Sequence, residues 1–66
     1  MKNQIRVERA RKGISQTELA EAVGVTRLTI HSIESGKFNP SAVLALKLAA
    51  YFEMPVESLF ELEDDD

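Results

Sequence analysis

The chain has no cysteine and no tryptophan, and only one histidine, two prolines and three glycines in 66 residues. Without cysteine there is no disulfide, no thiolate nucleophile and no thiolate metal ligand, which suits a reducing, cytoplasmic setting. His31 stands alone, so no His/Cys metal set exists, and neither a metal nor a cofactor is expected. The five serines have no second histidine and no evident activating base, which argues against nucleophilic catalysis. No glycine-rich phosphate loop occurs, and the carboxylates crowd toward the last residues, where no concave site forms. A non-enzyme is expected. No apolar run approaches the roughly 20 residues of a membrane span. Met1-Lys2-Asn3-Gln4 leads into a charged helix rather than a signal-peptide core, so no membrane partner is expected.

A strong excess of positive charge is also missing, since the net charge is −3. The distribution matters more than the sum. Residues 1–40 hold seven Lys and Arg against four Glu, a net +3, while residues 41–66 hold one Lys against seven acids. The molecule is polarised, and its N-terminal part can attract phosphate if the acidic end points away. The length suits a single domain over 1–66, with no repeat or linker and a core near the lower size limit.

Residues 16–35, QTELAEAVGVTRLTIHSIES, carry the densest set of structural signals. Ser15-Gln16-Thr17-Glu18 has the form of a capping box: the serine hydroxyl meets an orphan helix N–H and the glutamate reaches back. A helix is predicted over 16–23, closed by Gly24, where a left-handed backbone suits only glycine without strain. Val25 places an apolar residue in the turn, and Thr26 can cap a second helix over 27–35, ended by Gly36. Ala20 supplies the small residue that a close helix crossing needs. Ile30 and Ile33, three apart, face inward with Leu19, Val23 and Val25. That leaves Arg27, Leu28, His31, Ser32 and Ser35 on the outer face, a polar front on a helix held from behind.

The order Gln16, Ala20, Gly24, Val25, Ile30, Ile33, then Glu34-Ser35-Gly36-Lys37, resembles the DNA-binding unit of the lambda repressor and Cro helix-turn-helix family. Asn39-Pro40-Ser41 and Ala45-Leu46-Lys47-Leu48-Ala49 extend the resemblance, which covers residues 4–60. It implies an all-α, five-helix lambda repressor-like domain and a transcriptional regulator, most simply a repressor of a two-fold symmetric operator in double-stranded DNA. In that docking geometry the first residues of the recognition helix lie nearest the base edges and the preceding helix crosses the backbone. Arg27, Leu28, His31 and Ser32 are then the expected base contacts. Arginine can fork onto guanine O6 and N7, and leucine can meet a thymine methyl. Gln16, Thr26, Lys37 and Asn39 are the expected phosphate contacts; Gln16 is aided by the positive end of its helix and is able to steady Arg27. Arg9 stands where the family often pairs an arginine with the glutamate that closes the recognition helix, here Glu34. Glu8 departs from the family, which often carries a bulky apolar residue there.

The other segments frame this unit. A first helix is expected over 3–12, with Arg11 and Lys12 at the negative end of its dipole, although Ile5, Val7 and Ala10 do not fall on one stripe. Gly36 to Pro40 reads as a loop in which Phe38 packs rather than stacks on bases. A fourth helix runs from about Ser41 to Glu53, with Ala45, Leu48, Ala49 and Phe52 as its core stripe and Leu44 and Leu46 flanking it. Met54-Pro55 breaks the chain before a short fifth helix at 56–60. Residues 60–63 alternate apolar and polar, as in a short strand at a subunit boundary or a fraying end. Asp64 to Asp66 reads as a disordered tail. Val43, Leu44, Met54, Phe60 and Leu62 exceed what so small a chain can bury, so a homodimer is expected, with Val56, Leu59, Phe60 and Leu62 at its interface. No small-molecule effector is evident, since the chain is too short to hold a sensor domain. The alternative is an antitoxin-like or other protein-interaction module on the same fold, which a stoichiometric co-purifying partner would reveal.

Overall fold

A computed structural model describes residues 1–66 in the order β1 (Lys2–Asn3), α1 (Ile5–Lys12), α2 (Gln16–Val23), α3 (Arg27–Glu34), α4 (Ala42–Tyr51), α5 (Val56–Leu59) and β2 (Phe60–Glu61). The starts of three helices are set by short polar side chains. Ser15, Thr26 and Ser41 accept from the backbone N–H of Glu18, Thr29 and Leu44, donors that have no partner inside their own helix.

The helix ends follow from reversals of the backbone. At the end of α3, Gly36 turns left-handed (φ 79°), the Gly36 N–H donates to the Ile33 carbonyl, and the Lys37 N–H donates to the Ser32 carbonyl. This is the Schellman arrangement, in which the last carbonyls of a helix are satisfied by a chain that doubles back. In α4 the same arrangement has the Glu53 N–H on Ala50 and the Met54 N–H on Ala49, each at 3.1 Å. Here the left-handed residue is Glu53 (φ 56°), not a glycine. The reversal stops α4 at Tyr51, two residues before the expected end.

Twelve apolar residues form one continuous core, with no polar residue among them. Leu19, Ala20 and Val23 from α2 meet Ile30 and Ile33 from α3, and α4 covers them with Leu44, Leu48 and Ala49. The inner stripe of α4 differs from the expected one: Leu44 is buried, whereas Ala45 is only half-buried and Leu46 is exposed. Leu44, Leu48 and Phe52 recur every fourth residue, so one side of the helix takes all three.

The first helix starts later than expected, because Lys2 and Asn3 pair antiparallel with Glu61 and Phe60. The Gln4 N–H extends this ladder to the Leu59 carbonyl at 2.9 Å. Asn3 fastens the strand to the helices: its Nδ2 donates to the Ile33 carbonyl at 2.8 Å, and its Oδ1 accepts from the Ile5 N–H at 3.2 Å. The period-two pattern after residue 60 therefore begins as a strand, Phe60–Glu61, that pairs within the chain. Leu59 and Phe60, expected at a dimer interface, are instead buried in the chain's own core. A sequence pattern cannot separate these outcomes, because an apolar residue looks the same whether its own chain or another covers it. The acidic end also makes contacts within the chain. The Met1 amino group lies 3.1 Å from carboxylate oxygens of both Glu63 and Asp66, and the Glu63 N–H donates to Asp66 Oδ2 at 2.7 Å.

Candidate nucleic-acid interface

The turn between α2 and α3 is built from local chemistry. The Ser15 hydroxyl accepts from the Glu18 N–H at 3.0 Å, and Glu18 Oε1 accepts from the Ser15 N–H at 2.9 Å, which completes the capping box. Gly24 (φ 77°) lets the chain reverse so that the Val25 N–H reaches the Ala20 carbonyl at 2.9 Å. Ala20 is buried where the two helices approach, as its lack of bulk allows. Thr26 uses its hydroxyl inside the chain, accepting from the Thr29 N–H and sharing a hydrogen bond with the Thr29 hydroxyl.

Ile30 and Ile33 hold α3 from behind, and the opposite face is open. Arg27, Leu28 and His31 are exposed, and Ser32 is half-buried. Positions 27 and 31, and 28 and 32, are each four apart, so the four side chains make one continuous strip. Lys37 and Asn39 are exposed on the loop that follows.

A hydrogen-bonded chain runs behind this strip. Arg27 Nη1 donates to Gln16 Oε1 at 3.2 Å, and Gln16 Nε2 donates to Glu34 Oε1 at 3.2 Å. Arg9 closes it, with Nε on Glu34 Oε2 at 2.8 Å, Nη2 on Oε1 at 3.3 Å and Nη1 on the Ile14 carbonyl at 3.0 Å. Such a fork is the geometry at which arginine and carboxylate bind most strongly. Arg6 adds a longer contact to the same carboxylate at 3.5 Å. The Glu34 side chain is fully withdrawn from water. Burial alone would favour its protonated form, but the hydrogen bonds from Arg9 and Gln16 and the Arg9 charge outweigh it, holding the carboxyl below its ordinary pKa. Arg9 is correspondingly held above its own ordinary value, chiefly by its hydrogen bonds to Glu34. The link from Gln16 to Glu34 and the approach of Arg6 were not among the sequence expectations. Arg6 precedes Arg9 by one helical turn, a spacing that could have suggested it.

Most of the basic charge in residues 1–40 is engaged within the molecule. Arg6 and Arg9 meet Glu34, Arg11 meets Glu8 at 3.5 Å, and Lys12 lies 5.2 Å from the centre of the Tyr51 ring. Lys2 shares a surface depression with Glu61, Glu63, Asp64 and Asp65. Arg27 and Lys37 have no acidic partner. Glu8, where the family often has an apolar residue, is half-buried and takes its charge partner from its own helix. No three His, Cys, Asp or Glu side chains come together in a metal-holding group, and no helix is long and apolar enough to cross a membrane.

Two short helices joined by a tight turn, the second backed by an apolar core and fronted by polar side chains, define a helix-turn-helix unit. The helix-turn-helix family model matches residues 5–59. The chain belongs to this family, in its lambda repressor and Cro branch. It is 48% identical over 66 residues to an uncharacterized HTH-type transcriptional regulator of Bacillus subtilis, YgzD, covering 100% of both chains. Its fold is similar to that of the restriction-modification controller protein C.AhdI from Aeromonas hydrophila, at 37% identity and TM-score 0.78 over 86% of each chain. It also resembles the P22 c2 repressor protein in complex with a synthetic operator, at 26% identity and TM-score 0.84 over 88% of each chain.

Proposed function

We propose that this helix-turn-helix regulator is a cytoplasmic repressor that acts by binding, not by catalysis, and reads duplex DNA with the exposed strip of α3. Arg27, Leu28, His31 and Ser32 meet base edges in the major groove. Gln16, Thr26, Lys37 and Asn39 position the protein on phosphates. The single observation that carries this reading is the strip itself: four contact-capable side chains on a helix whose back is locked by Ile30, Ile33 and the Gln16–Glu34–Arg9 chain. Arg27 is presented already oriented by Gln16, so less side-chain entropy is lost when it meets a base.

The protein binds as a homodimer on half-sites about 34 Å apart, one turn of DNA. With Leu59 and Phe60 inside the core, Val56 and the 77%-exposed Leu62 remain as the apolar groups at that end. Sedimentation at tens of micromolar, with and without operator, is expected to show a dimer, and Leu62→Asp to shift it toward monomer. A monomer in every condition refutes this assembly.

Selection of bound sequences from a random duplex pool tests the reading itself. On the selected operator, Arg27→Ala is expected to lose about 1–3 kcal/mol per half-site and to tolerate changes at one base pair. Lys37→Ala is expected to weaken all sequences alike and to reduce the salt slope by about 0.9 per lost phosphate contact. Unchanged base preference in Arg27→Ala, with a flattened salt dependence, would make Arg27 a phosphate contact instead.

A further inference from the structure

The apolar side chain that follows the recognition helix is not part of the core. Phe38 is 51% exposed, and with Leu28, Thr29 and Ser32 it lines a shallow pocket of about 270 Å³ on the outer side of α3. Its place is set by the backbone rather than by burial. The Ser32 carbonyl accepts from both the Lys37 N–H at 3.0 Å and the Phe38 N–H at 3.2 Å, which pins the loop to the last turn of the helix. Leu28 forms the other apolar wall and is 63% exposed. Two large apolar side chains left in water on one face gain free energy from whatever covers them.

The surroundings identify the occupant. Arg27 and Lys37, cations with no acidic partner in the chain, are the chain neighbours of Leu28 and Phe38, so the pocket is flanked by positive charge that suits a polyanion offering a small apolar group. In the major groove that group is the 5-methyl of a pyrimidine. We propose that Leu28 and Phe38 form a notch that takes the 5-methyl group of thymine or 5-methylcytosine, which makes Phe38 a specificity-determining residue. The proposal rests on the reading of DNA by α3 argued above. The Ser32 hydroxyl makes no hydrogen bond within the chain, while the backbone carbonyl of that residue is engaged by Ser35 Oγ and the loop N–H groups. A hydroxyl can both donate and accept. It answers the O4 acceptor of thymine as well as the N4 donor of 5-methylcytosine, so the notch reads the methyl and not the exocyclic group.

The test uses the intact protein and the duplex selected from the random pool. Each thymine is replaced singly by deoxyuridine, which removes only the methyl group, and then by cytosine or 5-methylcytosine opposite guanine. The expected result is one thymine per half-site at which deoxyuridine weakens binding about three- to fivefold, the factor for burying one carbon of that size. At that position 5-methylcytosine is expected to restore affinity and cytosine is not. Phe38→Ala is expected to abolish the deoxyuridine penalty with an unchanged helical spectrum, and Phe38→Leu to keep it. Affinity with thymine but not with 5-methylcytosine keeps the methyl notch, assigns it to thymine and overturns its indifference to the exocyclic group. Tight binding with no methyl-dependent position, or an undiminished penalty in Phe38→Ala, overturns the notch and leaves the reading by α3 standing. Binding to no duplex overturns both.

Discussion

Glu34 ties Arg9 on α1 to Gln16 on α2 and, through Gln16, to Arg27 on the exposed face of α3. Its carboxylate is withdrawn from water yet ionised, because Arg9 forks onto it and Gln16 donates to it. Removing Arg9 leaves the Glu34 carboxylate desolvated, with only Gln16 and the longer contact from Arg6 to answer it. Arg9→Met is therefore expected to cost about 3 kcal/mol in urea unfolding, near the lower end for buried pairs, since Arg9 keeps some exposure. A double-mutant cycle with Glu34→Leu is expected to show coupling above about 1 kcal/mol. Coupling of only a few tenths would reduce the pair to surface decoration. The pH dependence has a definite sign. The folded pKa of Glu34 lies below its unfolded value, so the stabilisation is complete above about pH 4.3 and is lost as pH falls through the depressed value. Glu34→Gln is expected to flatten that acid limb. At this scale the sequence shows the partners only in part. Arg9 and Glu34 are legible through the family resemblance. The bond from Gln16 to Glu34 is not, because it depends on how two helices turn toward each other.

Among the elements, α4 ends on a conflict between local preference and tertiary need. The chain must double back after Tyr51 to bring Phe52 and then α5 into the core, and the residue at the reversal is Glu53 with φ 56°. A left-handed backbone costs a side-chain-bearing residue roughly 1–2 kcal/mol, part of which glycine would return in unfolded-state entropy. Glu53→Gly is thus expected to raise stability by about 0.5–1 kcal/mol without altering the fold. A loss of stability would mean that the Glu53 side chain makes a contribution its exposure does not suggest. The same contrast explains what was legible in the elements. The α2–turn–α3 unit can be read from the sequence because each of its signals is local: the Ser15–Glu18 box, Gly24, the Thr26 cap and the spacing of Ile30 and Ile33. Of the β1–β2 pair only β2 could be read, as the alternation that begins at Phe60; its partner β1 could not. Its ladder joins the two ends of the chain, and neither Lys2 nor Asn3 favours a strand. The end of α4 was misplaced because Glu53 carries no sign of the conformation that tertiary packing imposes on it.

For the whole molecule the deciding quantity is where the uncompensated charge lies. The net +3 of residues 1–40 overstates the attraction for phosphate, because Arg6, Arg9 and Arg11 already face carboxylates and Lys2 shares a depression with acids. The acidic end, in turn, does not stand clear of the reading side. Glu63 shares a shallow depression with Ser35 and Gly36, where α3 ends and the loop carrying Lys37 begins. Glu63 is answered there by the Met1 amino group at 3.1 Å, while Asp64 and Asp65 next to it in the chain are not, and charges act over roughly 10 Å at 0.1 M salt. Asp64 and Asp65 are exposed and make no ion pair, so their charge can be removed without breaking an internal contact. Asp64→Asn combined with Asp65→Asn is expected to tighten operator binding severalfold at low salt. The gain is expected to shrink as salt rises past the point where the Debye length falls below the separation, while base preference stays that of the parent. A gain that persists at high salt would indicate that the two aspartates block the site sterically. No gain at low salt would mean that the bound duplex passes beyond reach of the acidic end, and the polarity of the chain would then have no bearing on its affinity.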